Sequence, residues 1–103
     1  MRSILTDLAK RQIRQTARYI SREFGQKRRD AFIQEVRRTR FLIESHPNLG
    51  PVEPLLAHRT RLYRSIVVSP LNKLIYYVDD ATIEIIAVWD TRRDPSSLVA
   101  EVK

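Results

Sequence analysis

A chain of 103 residues, 43% of them hydrophobic, can build one core and has no room for a second. It holds no cysteine, which excludes a disulfide framework and a thiolate zinc site. A formal charge of +7 and a pI near 10.4 favour a polyanionic or acidic partner. The charge is unevenly placed. Residues 1–45 carry twelve lysines and arginines against five acids, whereas from His46 onward seven basic residues balance seven acidic ones. Arg2, Asp7, Lys10 and Arg11 interrupt any signal-peptide core. No stretch approaches the roughly 18 apolar residues of a membrane span. A soluble, cytoplasmic protein with no membrane partner is expected.

Residues 2–5 read as a short strand, and Thr6 as the N-cap of a helix. From Asp7 the apolar positions Leu8, Ala9, Ile13, Ala17, Ile20 and Phe24 recur at helical spacing, and Gly25 is a natural stop. A second helix is predicted over 27–45, with Phe32, Ile33, Val36, Leu42 and Ile43 as its apolar side. The short separation at Gly25 makes the two an antiparallel hairpin. His46-Pro47-Asn48-Leu49-Gly50-Pro51, with Pro54, then forms a loop.

After the loop the periodicity changes. Segments 62–69, 73–78 and 83–90 are rich in Ile, Val and Tyr, and turns at 69–72 and 79–82 join them into an antiparallel meander. The tail starts a last helix at Asp94 and Pro95, barely two turns long and marginal unless it docks. The order β-α-α-β-β-β defines a single α+β domain, residues 1–103, with a helical hairpin packed on a small, mainly antiparallel sheet. In the last strand Ile83, Ile85, Ala87 and Trp89 alternate with Glu84, Ile86, Val88 and Asp90, so both faces carry apolar residues. The helices can cover one face. The other meets either a partner or the loop at 46–61 together with the tail.

Familiar catalytic sets are missing from the pattern. The two glycines are too far apart for a phosphate loop, and His46 and His58 sit in a proline-bearing loop without metal-ligand spacing. No metal or cofactor is expected. What remains is a basic and aromatic group: Arg59, Arg61, Tyr63, Arg64, Lys73, Tyr76, Tyr77, Arg92 and Arg93. Arginines can hold phosphates bidentately and tyrosines can stack bases. The same set could stabilise charge at phosphorus during attack by an RNA 2′-hydroxyl, but it holds no obvious general base. Solvent-facing arginines and half-buried tyrosines are the plainer reading.

From Ile4 to Pro95 the chain resembles the RelE/ParE toxin superfamily. The resemblance is carried by Ala9…Ile13…Tyr19-Ile20, by His46-Pro47-Asn48-Leu49-Gly50 and by Leu62-Tyr63-Arg64. It continues through the hairpin from Asn72 to Asp80 and through Ile83…Val88-Trp89-Asp90-Thr91-Arg92. It implies a toxin of a type II toxin–antitoxin module, wrapped by a cognate, acidic antitoxin that would also account for the second apolar face. It leaves two targets: the ribosome with its mRNA for RelE-like endoribonucleases, and DNA gyrase for ParE-like members, which do no bond chemistry. By resemblance, Arg64, Lys73 and Arg92 fall on RelE-like catalytic positions. However, Ile66 stands where a second strand lysine is expected, and Leu98 near the place of a C-terminal tyrosine. The glutamate and histidine–tyrosine pair of other ribosome-dependent members are not visible either. The departures favour ParE-like action on gyrase, with Arg59, Arg61, Arg64, Lys73, Tyr76, Arg92 and Arg93 as target contacts. A ribosome-dependent RNase is the rival, and a member that binds its partner without toxicity is a third reading.

Overall fold

The computed structural model describes residues 1–102. Its elements are β1 (Arg2–Leu5), α1 (Asp7–Phe24), α2 (Gln26–Ser45), β2 (Arg64–Ser69), β3 (Asn72–Asp79), β4 (Thr82–Asp90) and α3 (Pro95–Glu101), with a 3-10 turn at Pro54–Leu56. The order and fold class are those expected, with ends shifted by one or two residues. The sheet runs β1-β4-β3-β2; β1 lies parallel to β4 and the other pairs are antiparallel.

Thr6 caps α1, its hydroxyl accepting the Ala9 amide at 3.2 Å. A single residue, Gly25, ends α1 and begins α2, with φ at +93°. Any side chain there would be strained, so glycine sets the tight reversal of the hairpin. The hairpin buries Ala9, Ala17, Phe32, Val36 and Ile43 against Leu74, Tyr76, Ile83, Ile85 and Val88 of the sheet.

The opposite face is not open. Ile75, Ala87 and Trp89 lie beneath Leu56 and Tyr63 from the loop and Leu98 and Val102 from the tail. No antitoxin is needed to account for that face: the chain closes it by itself, and α3 is stable because Leu98 docks fully buried. Trp89 alone removes roughly 150–250 Å² from water, an upper bound of about 4–6 kcal/mol at 25 cal/mol per Å².

Strict alternation along β4 also fails, for a local reason. Tyr76 pairs with Ile85 and Ile75 with Ala87, so Ile86 is an extra residue bulged from the ladder. The bulge turns Val88 toward the hairpin with Ile83 and Ile85, and sends Ile86, Ala87 and Trp89 to the tail face. Because β1 pairs only as far as Ile85, the β4 edge beyond it needs other partners. Thr6 supplies its hydroxyl to the Ile86 carbonyl at 3.2 Å, and Gln12 accepts the Val88 amide at 2.8 Å.

Candidate functional site

The residues nominated from the sequence do not meet at one point. Arg64 and Ile66 share a face of β2, and Ile66 packs against the helical core. Arg64 donates to the Gly50 carbonyl at 2.8 Å, half-buried beside Tyr76. Lys73 points the other way, to the face of Ile75, where its ammonium pairs with the completely buried carboxylate of Glu53 from the loop after α2. Arg92 follows β4, and its flanking residue Asp90 pairs with Asn72, whereas Arg64 pairs with Tyr76. Four residues of β3, about 13 Å, separate those two rows.

Each cation of the trio is also engaged. Arg92 holds Asp90 bidentately, Nε to Oδ1 at 3.1 Å and Nη2 to Oδ2 at 2.8 Å, while its amide bonds the same carboxylate. This hydrogen bonding holds the Asp90 carboxyl below the usual carboxylate range and raises the Arg92 guanidinium. Tyr76 is fully buried. Its hydroxyl donates to the Pro47 carbonyl at 2.7 Å and accepts the Gly50 amide at 3.0 Å, so no base can stack on its ring. Burial pushes its phenol upward, away from a general base.

Arg59, Arg61 and Arg93 belong to the tail side. Arg59 donates to the Val99 carbonyl of α3 at 2.8 Å. Arg61 lies 3.9 Å over the Tyr77 ring, and Arg93 4.4 Å over Trp89 while bridging to Glu101 at 3.2 Å. Arg59 and Arg93 thereby fasten the tail, while Arg61 covers a β3 ring, and Arg61 and Arg93 remain accessible. His46 follows α2 and His58 lies in the turn after Leu56, both exposed.

An apolar groove of about 860 Å³ opens between the end of the hairpin and the turn joining β2 to β3. Tyr19, Ile20, Phe24 and Leu71 supply its apolar surface, and Arg28, Arg92 and Arg93 stand at its rim. Phe24 is 56% exposed, stacked edge-on against Tyr19 at 6.2 Å. The sequence placed Ile20 and Phe24 on one apolar face of α1; Ile20 does pack, partly buried, against the helix–sheet core, whereas Phe24 at the helix end lies outside it. Glu53 and Gln12 were not anticipated as buried polar residues, since neither charge nor periodicity marks a partner 20 or 76 positions away in the chain. Among the described residues no helix is long and apolar enough to cross a membrane.

Comparison with known proteins agrees with this architecture. No curated protein sequence matches the chain. Among solved structures, the chain is similar to one from the chromosomal ParDE toxin–antitoxin system of P. aeruginosa, with a TM-score of 0.72 and 13% identity. That match covers 87% of this chain and 95% of the other. A YoeB dimer from Staphylococcus aureus follows at TM-score 0.59 and 19% identity, covering 85% and 93%. A YoeB/ParE toxin from Agrobacterium tumefaciens stands at 0.58 and 15%, covering 87% and 98%. These likenesses establish the fold. Residues 4–95 match the family described as the ParE toxin of the type II toxin–antitoxin system parDE. With nearly the whole fold inside that match, the chain belongs to the ParE toxin family.

Proposed function

We propose that this toxin acts as a binding module on DNA gyrase, stalling an enzyme–DNA intermediate, and cuts no RNA. The observation that carries the reading is the dispersal of Arg64, Lys73 and Arg92. Charge stabilisation at a scissile phosphate needs donors aimed at one point in a dry site. Here Arg64 and Lys73 lie on opposite sheet faces, and Lys73 is neutralised by Glu53. Arg61, Arg92 and Arg93 are the accessible cations of the nominated set and are assigned to target contact.

The toxin is held inactive by a cognate antitoxin. The related P. aeruginosa structure is described as a toxin–antitoxin system. The groove beside Phe24 suits an amphipathic acidic segment, with its apolar side on Tyr19 and Leu71 and its carboxylates toward Arg28 and Arg93.

Induction of the toxin alone in a bacterial host, with thymidine and methionine incorporation followed separately, tests the target. DNA synthesis is expected to fail first, with cleaved DNA trapped on gyrase. Early failure of protein synthesis, with defined cuts in translated messages, transfers the role to the ribosome-dependent reading. Normal growth means a member that has lost toxicity.

A further inference from the structure

We propose that the outer edge of α1 is a docking surface for the phosphate backbone of duplex DNA. At about 100° per residue, Arg11, Arg18 and Arg22 fall within roughly 40° of one another on the helix, opposite the buried face, and Arg14 lies beside them. All four are exposed. Arg14 and Arg18 also form one wall of a groove of about 380 Å³ between α1 and α2, with Arg29 and Ser21 at its sides and Ile13 and Ile33 beneath.

Among the described residues, only Glu23 offsets this stripe, and it does so at the Arg22 end. The acids of α1 stand at its two ends, Asp7 and Glu23, and Glu23 pairs with Arg22 while Asp30 pairs with Arg29. Lys10, Arg11, Arg14 and Arg18 have no ion-pair partner among the described residues. Like charges four residues apart, as at Arg14/Arg18 and Arg18/Arg22, oppose helix formation, and an ordinary solvated face interleaves both signs. Arg11, Arg14 and Arg18, uncompensated along a rigid helix, are suited to a row of phosphates.

Along Arg11, Arg14 and Arg18 the stripe holds no aromatic side chain; a ring approaches only at its end, where Tyr19 lies 5.9 Å from the Arg22 guanidinium. Tyr19 and Phe24 of the same helix turn to the apolar groove and stack on each other. Single-stranded nucleic acid is bound by rings that accept its bases, so the surface fits a duplex. The choice of DNA over RNA rests on the gyrase reading above.

The test is fluorescence anisotropy of a labelled mixed-sequence DNA duplex with the full-length toxin, from roughly 50 to 200 mM salt. Log Kd is expected to rise linearly with log salt. Arg14→Gln/Arg18→Gln should lower that slope by about 2 and weaken binding at least 10-fold at low salt, from about 0.9 per phosphate contact. Arg37→Gln/Arg38→Gln removes the same charge from α2 and should leave the slope unchanged. Arg11→Gln/Arg22→Gln, a second variant of the stripe, should repeat the loss, with circular dichroism showing every variant folded.

Equal losses from the α1 and α2 pairs would mean that net charge alone binds DNA, and no loss from either stripe variant would also overturn the proposal. Single-stranded RNA or polyglutamate of matched charge, bound as tightly with the same arginine dependence, would assign the surface to another polyanion. Binding is read without gyrase, so failure here leaves the target reading standing, and failure to trap cleaved DNA leaves this surface standing.

Discussion

The Tyr76 hydroxyl sits on the Gly50 amide at 3.0 Å, tying the middle of the sheet to the loop that leaves the hairpin. A Cβ on Gly50 would meet the Ser65 carbonyl oxygen at 2.8 Å and the Tyr76 hydroxyl at 3.1 Å. Closeness to a backbone oxygen makes the position intolerant. Gly50→Ala should destabilise the fold by about 1–3 kcal/mol through overpacking. Tyr76→Phe, which leaves the Gly50 amide and Pro47 carbonyl short of a partner, should cost about 1–3 kcal/mol. Urea denaturation with an unchanged m-value checks both.

The same tyrosine gives an alkaline signature. Its folded pKa is raised above the ordinary 10.0, first by burial. Above that ordinary value the unfolded chain releases the proton while the folded chain still holds it. The stability is therefore full below pH 10 and is lost as pH rises through the folded value. Tyr76→Phe should flatten this part of the profile, read as Tm between neutral and alkaline pH. Asp90 works in the opposite sense: its lowered carboxyl contributes above its ordinary value of 3.8 and loses that contribution as pH falls through the folded value.

Lys73 and Glu53 separate a structural role from a chemical one. Lys73→Ala leaves the Glu53 carboxyl without its cation at 0% exposure, and should cost about 3–5 kcal/mol. The double change Lys73→Met/Glu53→Leu removes both charges and should recover most of that loss. If the double variant is stable and still toxic, Lys73 is no phosphate ligand. A stable double variant with no toxicity returns Lys73 to the contact set.

Leu98 holds the tail over Trp89 and Ile75. Leu98→Ala should destabilise by about 2–5 kcal/mol, because the surrounding loop and sheet cannot collapse fully into the space. Leu98→Asp should detach α3 and expose the second sheet face, read as dye binding and aggregation. Unchanged stability would mean that the tail does not close the core.

Arg92 and Arg93 test the contact assignment from exposed positions, at the structural cost of the solvent-facing Arg92–Asp90 and Arg93–Glu101 pairs, which contribute little to stability. Arg92→Ala/Arg93→Ala should shift the urea midpoint only slightly while reducing gyrase-trapped DNA at least 10-fold, the loss expected when about 1.4 kcal/mol of binding is removed. Undiminished trapping would move the contact surface elsewhere on the molecule.

The order of elements, their approximate ends and the family resemblance could be read from the chain, because they rest on local signals. Thr6 and Asp94 cap helices, Gly25 breaks one, and the strands declare themselves by Ile, Val and Tyr. The charge imbalance that marks α1 is likewise a property of composition. Tertiary structure decided the rest. One bulged residue, Ile86, changed which face Val88 and Trp89 occupy, and no periodicity announces it. Whether the second sheet face was free depended on Leu98 and Leu56 arriving from two distant segments. Arg64, Lys73 and Arg92 look like one group in a list of basic residues. The two faces of a pleated sheet and a buried carboxylate separate them, since side-chain direction and pairing exist only once the strands are in register.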